Sequence, residues 1–385
     1  VRAAALQPFR RPDPAGEVLS TVSTRDPALP QINPQVALVG LVVAAIAVLT
    51  LYINTVMDAW QPAQNFLMGC LLGFVLYRAA FGFTGPWRTL MVQRRGTGTR
   101  KTLVMLAAAA VTMMLLGTYG DYPQVIRPVG WSLLIGAFMF GVGMQLAGCC
   151  GSGTAWVAGG GSARVMVAFA GFVAGSVWGS IDSPAGWGVP KFGRCSMVDS
   201  FGVWPAIALT LAALALLFAL TIRMERARHG NIPEQVGAEG PFLRRAVFGP
   251  WTPMAGGVVM GVLTGLVLVV TLQPWGITFG YTIYGAKILT AMGVDLTQIT
   301  APFTDTAFWA QRWAFGAIEA PIWRNNAANM NIGIVLGAAL AAGLIDKWHP
   351  TLRGVPFLSL VAAVLGGILM GYGARISTGC NIGAM

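Results

Sequence analysis

Long apolar runs with almost no charged side chains constrain this chain more than any other feature. Residues 203–222 contain no Asp, Glu, Lys or Arg at all. A helix that crosses the hydrocarbon core of a bilayer needs ~20 mostly apolar residues. Over the whole chain 55% of residues are hydrophobic and 10% are charged, whereas soluble domains carry about 25% charged residues. No soluble fold can bury that much apolar surface, which excludes a soluble enzyme, a nucleic-acid-binding protein and a disordered protein.

The apolar runs predict an all-α polytopic membrane protein with a series of spanning or broken helices. The segments 277–292 and 303–318 are the weakest of the predicted spans, because they contain Lys287, Asp305 and Arg312. The predicted spans are 36–57, 66–81, 103–118, 130–147, 164–181, 203–222, 254–272, 277–292, 303–318, 332–346 and 356–376.

Basic residues collect in three loops between these segments. Cytoplasmic loops of membrane proteins are enriched in Lys and Arg, so we expect all three loops inside the cell and the end of the chain outside. The formal charge of +11 is then expected of a membrane protein and does not indicate nucleic acid. The loops hold Arg88, Arg94, Arg95, Arg100 and Lys101, then Arg223, Arg226, Arg228, Arg244 and Arg245, and finally Lys347 and Arg353.

The charge pattern also suggests a domain organisation. Residues 1–35 are Pro-rich and polar and lack the apolar core of a signal peptide, so they are predicted to be a flexible cytoplasmic tail. Residues 36–222 form a first transmembrane half, 223–250 a basic cytoplasmic linker, and 251–385 a second transmembrane half.

Two glycine-rich segments repeat each other without gaps at an offset of 230 residues. Gly136, Gly141, Gly143 and Cys150 align with Gly366, Gly371, Gly373 and Cys380, and Gln145 aligns with Arg375. By the loop assignment, the first copy enters from inside and the second from outside. Inverted repeats with broken helices near the midplane characterise many transporters, so we expect two pseudo-symmetric inverted halves with broken or re-entrant helices.

The repeated cysteines lie where one half-helix would end and another begin. Gly148 precedes Cys150, and Gly151, Ser152 and Thr154 follow it, while Asn381 follows Cys380. The N-terminus of a helix presents free N–H groups that favour an anion. A buried thiol stays neutral, donates weakly and presents a soft sulfur, which suits an anion that itself carries soft sulfur. The alternative is that the cysteines are small buried hydrophobes, which is our interpretation of Cys70 and Cys195.

Two arginines add to this predicted substrate path. Arg375 lies shortly before Cys380, and Arg78 ends an apolar run. Charges at membrane depth are costly and are therefore candidates for function. Either arginine draws in an anion, or its side chain extends to a membrane interface.

The cysteine motifs also support a family resemblance. LAGCCGSGTAW, GARISTGCNIGA and GFVLYRAAFGFTGPWRTL (73–90) resemble the YeeE/YedE family of bacterial sulfur-transport membrane proteins. The resemblance implies thiosulfate transport, a helical fold with re-entrant hairpins, and a substrate path lined by Cys150 and Cys380. This chain has Gly82 at a third family cysteine and Gly160 where relatives often have an acidic residue. Relatives continue beyond the second motif, so the chain looks truncated at Met385.

The leading hypothesis is therefore a permease of the bacterial inner membrane, not an enzyme, that takes up thiosulfate or a similar small anion without a cofactor. Its expected partners are the lipid bilayer and a cytoplasmic sulfurtransferase-like protein, and no nucleic acid. Alternatives are a transporter of a selenium species or, given 17 Met, of a soft metal such as Cu(I). A membrane-embedded thiol relay through Cys149 and Cys150, or an anchor for a sulfurtransferase, remains a further alternative.

Overall fold

The fold is known from a computed structural model that describes most of the chain from Pro34 onward. The described residues are 34–120, 122, 126–182, 190–194, 196–232, 247, 251–300, 307–377 and 379. Cys195, Cys380, Asn381 and residues 1–33 of the predicted tail lie outside them, whereas Pro34 and Gln35 are helical.

The described residues are almost entirely α-helical. In chain order the helices are α1 (Pro34–Met57), α2 (Trp60–Arg78), α3 (Thr84–Gln93), α4 (Thr97–Tyr119), α5 (Trp131–Ala147), α6 (Gly151–Gly159), α7 (Ala163–Ile181), α8 (Met197–Phe201), α9 (Val203–His229), α10 (Pro253–Thr271), α11 (Ile277–Ala291), α12 (Arg312–Glu319), α13 (Asn326–Gly343) and α14 (Phe357–Ile376). Short 3-10 turns cover Phe308–Ala310 and Ile322–Arg324, and β1 (Val129–Gly130) pairs antiparallel with β2 (Lys191–Gly193).

Eight segments of the described chain are long and apolar enough to cross a membrane, which confirms the prediction of an all-α, multi-pass membrane protein. The segment Trp131–Gly159 counts as one span although its helix is interrupted. The eight are Gln35–Met57, Thr97–Tyr119, Trp131–Gly159, Ala163–Ile181, Val203–His229, Pro253–Thr271, Asn326–Gly343 and Phe357–Ile376.

The predicted span at 303–318 is wrong over its described residues. A 3-10 turn ends at Ala310, Gln311 is extended, and α12 begins only at Arg312 and has 8 residues. At 1.5 Å per residue such a helix spans only about 12 Å. The charged ends Arg312 and Glu319 favour an amphipathic surface helix over a spanning one, with Ala314 and Ile318 buried. The segment 277–292 is helical as predicted, but α11 has 15 residues and is too short to span alone.

Helices before residue 222 pack closely on helices after residue 251, through glycine. Gly69 lies against the backbone of Met330, and Gly73 lies one turn further along, against that of Ile334. These contacts join α2 and α13 as parallel neighbours. Small residues allow this close backbone approach, on which helix packing in membranes depends. Similar parallel contacts join α4 to α10 and α7 to α14.

The two helices that carry the repeated motif, α5 and α14, pack against each other in opposite directions. A methyl group on Gly143 would lie 2.7 Å from the carbonyl oxygen of Gly366, and one on Gly136 would lie 2.8 Å from that of Gly373. The sequence alignment pairs Gly136 with Gly366 and Gly143 with Gly373. Exchanging the two copies therefore converts each of these contacts into the other.

We expect Gly73→Val to destabilise the protein, because the new side chain would collide with the backbone of Ile334. Overpacking a tight core costs about 1–3 kcal/mol, and more where only backbone can yield. Gly141→Val in α5 is the matched control, because a methyl group there meets no atom within 4 Å. The measurement is the melting temperature of purified protein in detergent. Equal melting temperatures for the two variants would contradict the close α2–α13 contact.

Candidate functional site

The span Trp131–Gly159 is broken at Gly148, Cys149 and Cys150. Gly148 ends α5 in the left-handed conformation (φ 77°), and its N–H donates to the carbonyl of Met144 at 2.9 Å. A glycine with positive φ is the usual end of a helix. Ala147 lies beside Gly366, which is halfway along α14. The break therefore lies near mid-height of a spanning helix.

Cys150 caps the second half-helix, α6. Its extended backbone (φ −103°, ψ −176°) starts the helix, and its Sγ accepts the N–H of Gly153 at 3.3 Å. The same Sγ lies 3.5 Å from Ser152 Oγ, and the cysteine is 2% exposed. Capping usually falls to Ser, Thr, Asp or Asn, so a thiol in this role places sulfur at the positive end of a helix.

The first turn of α6 supplies the polar surface beside this sulfur. The amides of Gly151 and Ser152 have no acceptor within the helix, as in the first turn of any α-helix. Gly151, Ser152, Gly153 and Thr154 are all buried. Free amides and the helix dipole make such a terminus a binding site for an anion.

A tyrosine from the second half fixes the start of α6. Tyr281 donates its hydroxyl hydrogen to the carbonyl of Gly151 at 2.9 Å, and Thr154 Oγ1 lies 3.2 Å from the same hydroxyl. The tyrosine ring is fully buried between the rings of Phe169 and Phe172, at 4.9 and 5.0 Å between centroids. Thr154 also donates to the Gly151 carbonyl at 2.6 Å, so its hydroxyl serves the backbone of the helix.

An arginine satisfies the carbonyl groups that the break frees at the end of α5. Arg164 donates from Nη1 to the carbonyl of Ala147 at 2.6 Å and from Nη2 to that of Leu146 at 2.8 Å. Its Nε donates to Ser359 Oγ in α14 at 2.7 Å. A cation at a helix C-terminus also complements the dipole. All three donor nitrogens of Arg164 are therefore occupied by the protein.

The two arginines predicted on the path lie at the ends of helices. Arg78 is buried in the last turn of α2. Its neighbour Tyr77 packs edge-on against Trp156 of α6 at 5.9 Å between ring centroids. Arg375 lies in the last turn of α14, with its guanidinium carbon 5.7 and 5.1 Å from the ring centroids of Phe279 and Phe308.

Arg375 retains unused hydrogen-bonding capacity, because its buried Nε has no acceptor in the described structure.

Among the predicted site residues, the structure brings together Gly148, Cys150, Gly151, Ser152 and Thr154. It places Arg78 and Arg375 at the ends of α2 and α14. Cys380 and Asn381 lie outside the described residues, so the second half-site stays a prediction. Within the described part of the chain, no three His, Cys, Asp or Glu side chains group as metal ligands would.

Sequence reasoning missed Tyr281 and Arg164. Tyr281 contacts a residue 130 positions away in the chain, and nothing in its own segment indicates that partner. Arg164 could have been found, because it is a basic residue at the start of an apolar run and lies fourteen positions after Cys150.

The sequence of the chain is similar to those of known transporters. It is 24% identical over 330 residues to the thiosulfate transporter TsuA of Escherichia coli (strain K12), covering 83% of this chain and 85% of that protein. It is 24% identical over 327 residues to TsuA of Spirochaeta thermophila, covering 82% and 88%. A probable transporter, YedE of Salmonella typhimurium, is 29% identical over 137 residues, covering 35% of this chain and 30% of that protein.

A protein-family model also matches most of the chain. The model of the sulphur transport family matches residues 78–385, which include the broken helix, Tyr281 and Arg375. The chain belongs to the sulphur transport family.

Proposed function

We propose that this protein carries a small sulfur-containing anion, thiosulfate first, across the bacterial inner membrane. The observation that carries the proposal is the N-terminus of α6, which begins halfway through a span and is capped by a cysteine sulfur. Family membership and the thiosulfate transporters among its relatives support the same substrate class.

The chemistry of the site suits thiosulfate because that anion combines charge with a terminal sulfur. The free amides of Gly151 and Ser152 would face the anionic end. The Cys150 sulfur accepts a hydrogen bond from Gly153, which leaves its own S–H to donate toward the terminal sulfur. The anion would be held by backbone dipoles and the thiol, because the nearby Arg164 is already bonded to the carbonyls of Leu146 and Ala147, and such a site binds weakly enough for the release that a carrier requires.

The complete path would include a second half-site at Cys380 and Asn381. The reciprocal contacts of Gly136 with Gly373 and of Gly143 with Gly366 support an inverted relation between the two motif helices. With the basic loops inside, Arg375 lies at the outer end of α14 and would attract the anion before it reaches Cys380, while Arg78 would lie at the inner end of α2. The N-terminal tail would then be cytoplasmic, and docking of a sulfurtransferase on the basic loops stays a prediction.

The test of this proposal is uptake of radiolabelled thiosulfate by cells that lack their own thiosulfate uptake and express this protein. We expect uptake above that of cells carrying an empty vector, and growth on thiosulfate as sole sulfur source. Selenite and Cu(I) in parallel assays separate the alternative cargoes. Transport of either one without thiosulfate would overturn the proposal.

Two substitutions at Cys150 separate its sulfur from its role as a helix cap. Cys150→Ala should abolish uptake, and loss of the cap should cost about 0.5–2 kcal/mol of stability. Cys150→Ser retains a strong capping group, so we expect unchanged stability and uptake at least about tenfold slower, since a lost contact of ~1.4 kcal/mol is tenfold. Uptake rates are compared at equal protein level in the membrane.

Cys70→Ala is the control for this pair, because Cys70 is a free, buried thiol in α2 outside the site. It should transport at close to the wild-type rate. Wild-type uptake by Cys150→Ser would show that capping alone matters at this position and would remove sulfur from the mechanism.

Arg375→Ala should raise the half-saturation concentration for thiosulfate by about tenfold, since a desolvated charge interacts strongly with a divalent anion. Arg375→Lys, which keeps the charge, should recover part of the loss. Arg312→Ala is the control, because Arg312 is an exposed arginine on α12. An unchanged uptake curve for Arg375→Ala would assign that arginine to packing on Phe279 and Phe308.

The proposed orientation is testable with single cysteines in a cysteine-free variant. Phe192→Cys, in β2, should react in intact cells with an impermeant thiol reagent, because Phe192 is 66% exposed on the predicted outer side. Arg353→Cys, at an exposed position near the start of α14, should react only after the cells are opened. The reverse pattern would invert the topology, and labelling of both in intact cells would contradict the span order.

A further inference from the structure

The short helix α3 carries apolar side chains that the described part of the chain leaves exposed. Trp87, Met91 and Val92 are 40, 61 and 74% exposed, whereas Leu90 is buried. On the inner face of α3, the carbonyl of Pro86 accepts a hydrogen bond from Thr99 in α4 at 3.3 Å. The exposed residues therefore follow the opposite, outward face of the helix.

This outward face also carries positive charge. Arg88 lies among the exposed apolar side chains of α3, and Arg94 follows directly after the helix, where it adopts a left-handed backbone (φ 56°). Both arginines are exposed, and neither is in an ion pair within the described part of the chain.

The end of α9 extends this positive surface. His229 Nε2 lies 2.9 Å from the carbonyl of Gln93, which joins the end of α9 to the end of α3. Arg226 and Arg228, in the last turn of α9, are exposed. The nearby Glu225 does not offset these charges, because it is buried and bonded to Arg100 at 2.8 Å and to the amide of Gly96 at 3.1 Å.

The sequence after α9 adds no net charge. Residues 233–246 contain two acidic and two basic side chains and so add no net charge. We define the α3–α9 patch as Trp87, Arg88, Met91, Val92, Arg94, Arg226 and Arg228.

We infer that the α3–α9 patch binds the headgroups of anionic phospholipids. A 10-residue helix at the ends of membrane spans, with exposed Trp and Met beside Arg, has the composition of a helix that lies in the membrane interface. Its apolar side chains enter the boundary between headgroups and acyl chains, and the four arginines contact lipid phosphates. Basic residues at this depth attract anionic lipids by charge complementarity. A soluble acidic protein could pair with the arginines, but it would provide no hydrocarbon phase for Trp87, Met91 and Val92.

The test compares lipid binding by two charge-matched variants of the full chain purified in detergent. Arg88→Gln, Arg94→Gln, Arg226→Gln and Arg228→Gln are combined in one variant. The control combines Arg312→Gln, Arg324→Gln, Lys347→Gln and Arg353→Gln, four exposed basic residues elsewhere. Phosphatidylglycerol and phosphatidylethanolamine are added in turn, and bound lipid is counted by native mass spectrometry.

We expect the wild type and the control to bind phosphatidylglycerol in preference to phosphatidylethanolamine, and the patch variant to bind it at least about tenfold more weakly. A spin label at position 91, in nanodiscs containing phosphatidylglycerol, should be shielded from a water-soluble relaxation agent and accessible to oxygen. Equal binding by the patch variant and the control would overturn the inference. A water-exposed label at position 91 would do so as well, and would favour a soluble protein as the occupant.

Discussion

A helix that breaks inside a membrane must find partners for the backbone groups that it frees, and the candidate site depends on how this protein does so. Each unsatisfied buried polar group costs about 1–3 kcal/mol, and lipid offers no hydrogen bonds. The carbonyl side of the break is satisfied by Arg164, which bonds to both Leu146 and Ala147. The amide side retains the free N–H groups of the first turn of α6. The protein therefore supplies the cation itself, and in the proposed function the transported anion would bind the free amides.

This asymmetry requires the two half-helices to be enclosed by protein, and glycine makes the enclosure possible. Gly143 and Gly366 bring α5 and α14 into backbone contact next to the break. Gly159, at the end of α6, lies against the backbone of Val335 in α13, and its carbonyl accepts the indole N–H of Trp348 at 3.0 Å. These glycines thus bring neighbouring helices close to the break, where Cys149 and Cys150 are buried and Gly148 is exposed.

Much of the fold could be predicted from the sequence, because each membrane span requires a continuous apolar stretch that is visible in the sequence. The span 203–222 is uniformly apolar, and α9 contains all of it. The helix continues to His229, since arginine stems extend to the interface at little cost. The predicted span at 303–318 is wrong because it was based on the average hydrophobicity of the segment. The described part of the segment is instead amphipathic, with Arg312 and Glu319 exposed and Ile318 buried.

The site itself could be predicted only where its chemistry is local. Cys150 and its cap lie within four residues, and the glycine, cysteine and serine pattern was sufficient to indicate a helix start. Tyr281 could not be found in this way, because its contact with Gly151 depends on how α11 packs against α7 and α6. Pairings over such distances in sequence are properties of the packed structure.

Gly82 and Gly160 are the two positions where this chain differs from the pattern that the family resemblance implies. Their surroundings, near the end of α2, are different. A side chain at Gly82 would meet no atom within 4 Å, so the position has room for the cysteine that the family resemblance implies there. Gly160 differs, because a side chain there would collide with the ring of Tyr77, which packs against Trp156 in α6. The Tyr77 ring, in its present position, leaves no space for an acidic side chain at position 160. A thiol at Gly82 would therefore fit without any rearrangement, whereas an acidic side chain at Gly160 would require the Tyr77 ring to move.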